Sequence, residues 1–211
     1  MGSPAPSPAE PALFARASQR RPGTAASVRK VESLRGQLLV AGPALLDPNF
    51  ARSVVLIGDH DEEGALGVIL NRPLPVAVAD AAPPLAPLVP HDESLFQGGP
   101  VQPQSAVVLA EFEYLEDAGL IAFDSIGFLM GEVHEEVAGR LKRARVFAGY
   151  AGWGPGQLEM EMAEEGGWIA EPALPADPFT DEPSGLWSSI LRRKGGQYGI
   201  LATMPIDPST N

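Results

Sequence analysis

The stretch Ser53-Val-Val-Leu-Ile-Gly-Asp-His-Asp-Glu-Glu-Gly-Ala-Leu-Gly-Val-Ile-Leu-Asn71 sets two β-branched runs on either side of a polar segment. The runs Ser53–Gly58 and Leu66–Asn71 suit a pleated surface, and Asp59–Gly64 between them reads as the turn of a β-hairpin. Working towards the N-terminus, Gly36–Ala41 is a short apolar run that suits a buried strand, broken by Gly42-Pro43. Asp47-Pro48 then predicts a helix of one or two turns through Phe50, with the carboxylate capping free amides and proline in the first helical position.

Towards the C-terminus, residues 73–93 are proline-rich and read as a surface connection without regular structure, save for one short helix. Leu95-Phe96-Gln97 runs into Gly98-Gly99-Pro100, Ala106–Ala110 reads as a strand, Glu111–Gly119 turns the chain, and Leu120–Phe123 is a further short strand. Val133–Arg143 has helical spacing, with Val133, Val137 and Leu141 on one face and Lys142-Arg143 suited to the negative end of the dipole. Arg145–Tyr150 reads as a buried strand ending in Ala151-Gly-Trp-Gly154, followed by a helix over Pro155–Glu165. Trp168-Ile169 predicts a strand, Leu186–Arg193 a helix, and Ile200–Ala202 a last strand. Strands and helices interleave without strict alternation, which gives a single α/β domain with a mixed sheet flanked by helices.

Residues 1–34 differ from the rest. They are rich in Pro, Ala, Ser and Arg, and ordering them would cost about 1–2 kcal/mol per residue with little burial to offset it. We expect a disordered N-terminal arm over 1–34 and a folded domain over 35–211. The net charge of −12 is unevenly spread: up to Arg35 there are six basic and two acidic residues, leaving nine basic and 25 acidic in the remainder, or −16. Such a body repels a phosphate backbone, so direct nucleic-acid binding by the domain is not expected. The chain has no cysteine, which excludes thiolate nucleophiles and thiolate-bound zinc. The start lacks the apolar core of a signal peptide, and no apolar run approaches the roughly 20 residues of a membrane span, so a cytoplasmic protein without membrane attachment is expected.

Four segments draw attention for chemistry. Gln97-Gly98-Gly99-Pro100 follows a strand, where a phosphate cradle can sit, but it lacks a P-loop lysine and the third glycine of a dinucleotide fingerprint; a tight turn is favoured. His60 sits among Asp59, Asp61, Glu62 and Glu63, whose spacing does not match a calcium loop. His91 and His134 are isolated, so no metal site is expected. Tyr150-Ala-Gly-Trp-Gly-Pro-Gly-Gln-Leu-Glu159 combines three glycines with a helix start, where Gln157 could present an amide to a ligand and Trp153 either packs or stacks. Glu159 and Glu161 already supply negative charge to that helix start. No Gly-x-Ser-x-Gly elbow occurs.

Taken in order, these segments resemble the YqgE/AlgH family of bacterial proteins. The resemblance is carried by Gly36–Ala41 with Pro43 and Leu45, Asp47-Pro48-Asn49-Phe50, Ser53-Val54-Val55, His60, Gly64–Gly67, Asn71-Arg72-Pro73 and Gly98-Gly99-Pro100-Val101. It continues through Gly149–Trp153, Gly156–Glu159, Trp168 and Met204-Pro205. It implies an α/β domain whose mixed, split sheet curls into a partial barrel flanked by helices. It implies little about activity: members are mostly of unknown function, and the AlgH name reflects a proposed regulatory role in alginate production. Many members carry a histidine after the strand that follows Gly-Gly-Pro, where this chain has Ala110, so a two-histidine site with His60 is not available.

Two functional readings follow. The first is a non-enzymatic regulatory or interaction domain, acting on gene expression through an unidentified protein partner. The second is a small-ligand binder or hydrolase whose pocket gathers His60, Asn71, Gly98, Gly99, Trp153, Gln157 and Glu159. Neither reading calls for a cofactor.

Overall fold

A computed structural model describes residues 32–131 and 135–204. Among the described residues there are ten strands: β1 (Gln37–Ala41), β2 (Val54–Asp61), β3 (Gly64–Ile69), β4 (Pro73–Ala77), β5 (Ser94–Gln97), β6 (Val101–Phe112), β7 (Leu120–Phe123), β8 (Ile126–Leu129), β9 (Leu141–Trp153) and β10 (Trp168–Pro172). The helices are α1 (Val78–Ala81), α2 (Glu135–Ala138), α3 (Gln157–Ala163), α4 (Leu186–Lys194) and α5 (Gln197–Leu201), with short 3₁₀ turns between them.

The strands run in the order β10-β1-β2-β3-β9-β6-β8-β7. Strand β9 is the spine and the place where the sheet splits. Its first part pairs antiparallel with β6 along one edge, while on the other Phe147 and Ala148 pair in parallel with β5 and Ala151–Trp153 pair with β3. The path does not close, but it curls. A Cβ at Gly58 in β2 would lie 2.4 Å from the Phe128 ring of β8, and one at Gly36 would lie 3.0 Å from Phe123 of β7. The β7–β8 end therefore folds across β2, giving an open mixed sheet, partly barrel-like, with helices on its flanks.

The hairpin that opened the sequence reading is β2–β3, with a two-residue turn at Glu62-Glu63. Its runs are continuously apolar because both faces are covered. Val54 and Leu56 face one core with Leu38, Val68, Phe128 and the α4 residues Trp187 and Ile190. Val55 and Ile57 face a second core with Leu39, Ile69, Trp153, Leu158 and Trp168. All four β2 side chains are 0% exposed, each stabilising the fold by about 1.5–3 kcal/mol. A third core fills the space under residues 78–89, from Val108, Phe112 and Val146.

Several expectations are corrected. The helix over Val133–Arg143 is a single turn, α2; Gly139 follows it, and Leu141–Arg143 belong to β9, where Leu141 pairs with Phe112 and Arg143 with Glu111. Val133 and His134 lie outside the described residues. Ile200–Ala202 is not a strand: Ile200 and Leu201 lie in α5, which begins after the positive-φ pair Gly195-Gly196, and Ala202 caps it, its N–H donating to Tyr198 O at 2.9 Å. No free edge awaited it beside β10, because Lys194 donates to Ala170 O and Arg193 to Pro172 O, covering that strand with charge. Residues 73–93 hold regular elements after all. Pro73 and Pro75 are tolerated because β4 pairs only with β5, leaving its other edge without donors to supply.

Asp47–Phe50 forms hydrogen-bonded turns rather than a helix, though Asp47 does accept from Asn49 N–H at 2.8 Å. The β6 strand extends through Glu111 and Phe112, beyond the turn expected there. Strand β8, which pairs with β7 across the turn Asp124-Ser125, went unread. The strand expected over Arg145–Tyr150 runs from Leu141 to Trp153, so Ala151–Trp153 are the end of β9.

Candidate functional site

His60 lies in β2 rather than in the turn, paired with Ala65 and 4% exposed. Its Nδ1 accepts the Leu34 N–H at 3.0 Å, so Nε2 carries the hydrogen and donates to Glu159 Oε1 at 3.1 Å. Its backbone carbonyl accepts from Ser33 Oγ. Both ring nitrogens are thus engaged, one with the incoming chain and one with α3. A general base needs a nitrogen free to take a substrate proton, and this arrangement holds none ready.

Trp153 and Gln157 meet at Glu161 on α3, whose importance the sequence reading missed, while Glu159 turns to His60. Glu161 Oε2 accepts from the indoles of Trp153 and Trp168, each at 2.9 Å, while Oε1 accepts from Gln157 Nε2 at 2.9 Å. Gln157 Oε1 accepts from Gly154 N–H at 3.1 Å. Phe50 stacks on Trp153 and meets Trp168 edge-on, with centroids 6.1 and 5.5 Å apart. Trp153 packs rather than offering an open face. Glu161, through the two indoles, and Glu159, through His60, hold α3 against the sheet.

Asn71 is elsewhere. Its Oδ1 accepts from Val54 N–H and its Nδ2 donates to Arg52 O, both at 2.9 Å. Val54 and His60 are at opposite ends of β2, roughly 20 Å apart at 3.3 Å per residue, so Asn71 does not join the group around His60. Next to it, Arg72 donates to Pro48 O and Ala51 O. Burial lowers the Arg72 guanidinium pKa, an effect opposed by Asp47. The Asn-Arg-Pro and Asp-Pro-Asn-Phe segments therefore latch together.

Gly98 and Gly99, expected in a tight turn, instead form an extended link between β5 and β6 pressed against β9. A Cβ at Gly98 would stand 2.1 Å from Gly149 O, and one at Gly99, with φ +156°, 2.2 Å from the Tyr150 carbonyl carbon. Gly98 N–H donates to Ala148 O, and Gly98 O accepts from Ile69 N–H. Ala110 is fully buried, paired with Ala144 and Gly127. Among the described residues, no group of three histidine or carboxylate side chains could hold a metal ion.

Arg145 was also missed. It is 6% exposed, donates to Glu93, Pro178 O and Thr180 O, and stacks over Phe96. Burial lowers its pKa, opposed by Glu93 and Asp181. It ties the 178–180 segment to the sheet.

Concavities lie beside these latches. One, of about 490 Å³, is an open hollow with Glu62 and Glu63 on its rim and Val101, Tyr150, Gly152 and Trp153 in its floor. Burial raises the Tyr150 phenol pKa. Another, of about 430 Å³, is a groove between Pro83-Pro84-Leu85 and Phe147-Ala148, and a third, of about 370 Å³, lies beside Glu93 and Arg145. No described helix is long and apolar enough to cross a membrane.

The latched motifs and the sheet order can be set against known proteins. The sequence matches the AlgH-like family over residues 38–199. The chain belongs to the AlgH-like family. A UPF0301 protein of Streptomyces avermitilis is 46% identical over 189 residues, covering 86% of this chain and 97% of that protein. A UPF0301 protein of Thermobifida fusca is 43% identical over 195 residues, with coverages of 85% and 96%. Among solved structures, a Corynebacterium diphtheriae protein superposes with TM-score 0.72 at 32% identity, covering 84% of this chain and 95% of that one. The solution structure of AlgH from Pseudomonas aeruginosa gives TM-score 0.62 at 27% identity, with coverages of 86% and 100%. In this AlgH-like chain, the motifs that carried the resemblance are the ones that hold the fold together.

Proposed function

We propose that this AlgH-like chain is a non-enzymatic protein-interaction domain that acts on gene expression indirectly, through a protein partner. The observation that carries the reading is the engagement of His60, Asn71, Trp153, Gln157 and Glu159 in bonds within the fold. Side chains locked in this way position backbone and helix; they are not poised to move protons. What the domain offers outward is charge, −16 over the residues after Arg35. A field of that size steers basic partners and repels nucleic acid.

Cross-linking of the full chain in cells, followed by mass spectrometry, tests this. Reproducible cross-links from one protein onto the acidic surface are expected; cross-links only within the chain would refute the reading. The second reading, a small-ligand binder around His60 and Gln157, draws on the hollow beside Trp153. A ligand at 100 times its Kd would add about 2.7 kcal/mol of stability, so a thermal-shift screen of metabolites separates the two.

A further inference from the structure

Among the described residues, the chain before Gly36 is tied to β2 by hydrogen bonds that end on His60. Leu34 N–H donates to the ring Nδ1 at 3.0 Å, and Ser33 Oγ donates to the backbone carbonyl at 2.9 Å. The next attachment along the chain is Gly36 N–H to Ile57 O, just before β1. His60 therefore holds the point at which the basic N-terminal segment of the sequence joins the acidic domain.

This clasp depends on a neutral ring. A neutral imidazole has one donor and one acceptor nitrogen; here Nε2–H serves Glu159 Oε1 at 3.1 Å while Nδ1 accepts from Leu34. A protonated ring has two donors. Its Nδ1–H then faces the Leu34 N–H, and turning the ring gives no relief because no acceptor remains. The His60 side chain is 1% exposed, so water is poorly placed to replace the lost partner. The bond to Glu159 responds in the opposite sense, because a charge-assisted contact with a carboxylate is stronger than a neutral one. One proton loosens one partner of His60 and tightens the other.

Charged groups on the elements around the ring are Asp59 and Asp61 on β2, Glu62 and Glu63 on the turn to β3, Glu159 and Glu161 on α3, and Glu32 and Arg35 on the incoming segment. Strand β7, which crosses β2, carries no charge, nor do Ala65 and Trp153 beside it. Glu161 is held by the two indoles, and Glu159 is the carboxylate bonded to the ring.

We infer that His60 is an acid-sensitive clasp, whose protonation releases the Leu34 amide while keeping α3 attached through Glu159. The device regulates how the N-terminal segment is attached and stands independently of the interaction-domain reading. Leu34 also packs against the second core, so acid loosens the junction rather than detaching it. The proton comes from solvent, and no substrate is involved.

Proton–nitrogen NMR of the full chain tests the clasp between about pH 8 and pH 5, the range in which imidazoles change charge. The Leu34 amide shift should follow the titration curve of the His60 ring and not that of His91, an exposed histidine. Hydrogen-exchange protection at Leu34, corrected for its intrinsic pH dependence, should fall about tenfold across the range, the scale of one lost hydrogen bond. Leu158 on α3 should keep its protection. His60→Gln retains an acceptor for Leu34 and a donor for Glu159 without a titrating ring, so Leu34 should become insensitive to pH. A Leu34 response that persists in His60→Gln would overturn the inference, as would a His60 ring that titrates while Leu34 stays still. A ring that stays neutral down to about pH 5 would overturn it too, as would loss of the whole circular-dichroism signal in step with ring protonation. Should His60→Gln fail to fold, the Leu34 curve set against those of the His60 and His91 rings decides the matter in the unaltered chain.

Discussion

Replacing Glu161 with alanine removes the acceptor shared by two buried indoles. Trp153 and Trp168 are 4% and 6% exposed, and their N–H groups each donate to Glu161 Oε2 at 2.9 Å. In Glu161→Ala both donors stay buried without a partner, at about 1–3 kcal/mol each. The third bond, from Gln157, adds little because that side chain is exposed and turns to water. The expected loss is about 2–4 kcal/mol, part of the buried-donor penalty being relieved by water entering where Ala163 and Glu164 are exposed. For a domain of this size each kcal/mol lowers Tm by about 2–4 °C, so the melting point should fall by about 4–16 °C. Glu161→Gln keeps an oxygen acceptor and should lose less than half as much. The assay is a thermal melt by circular dichroism, with tryptophan emission shifting as the Phe50–Trp153–Trp168 cluster loosens. A Glu161→Ala protein that melts within about 1 °C of the parent would refute the claim that this carboxylate anchors α3.

Other perturbations follow from the same contacts. Gly98→Ala puts a Cβ 2.1 Å from Gly149 O and should destabilise by about 3 kcal/mol in urea unfolding, whereas Gly185→Ala, with nothing within 4 Å, should stay within about 0.5 kcal/mol. Asn71→Ala strands Val54 N–H and Arg52 O and should lower stability by about 2–4 kcal/mol, with faster amide exchange at Val54 as the local readout. Arg145→Met leaves Glu93 and two carbonyls without their donor and should cost about 3–5 kcal/mol, with limited proteolysis appearing first near Pro178–Thr180.

Much of the sheet was legible because its strands carry β-branched or apolar runs between glycine and proline breaks, as at Val54–Ile57, Gln37–Ala41 and Val146–Tyr150. The misreadings are places where long-range contacts override local pattern. Leu141–Arg143 has helical spacing, but pairing with Phe112 and Glu111 draws it into β9. Ile200–Ala202 looks like a strand, yet the β10 edge is already covered by Arg193 and Lys194. Strand β8 was in principle readable, since Asp124-Ser125 is a turn signal between two short apolar runs.

At the site, the unusual residues stood out but their tasks did not. His60 is tied to Leu34 and Glu159, 26 and 99 positions away, and sequence spacing carries no trace of such a bond. Glu161 was visible only as charge in a helix; that it serves two indoles depends on Trp153 and Trp168 arriving from different strands. Gly98 and Gly99 were read as a turn, whereas what requires glycine there is the close approach of Gly149 and Tyr150 on β9.

The central claim is that the motifs hold the fold and are not a site for chemistry, while the acidic surface is what we propose a basic partner meets. Amide chemical-shift mapping of the full chain, titrated with a peptide alternating glycine and arginine, tests it most directly. The account predicts saturable shifts at exposed acidic positions and none at His60, Asn71 or Gly98. Shifts centred instead on His60 and Asn71, or no shifts at all, would contradict it.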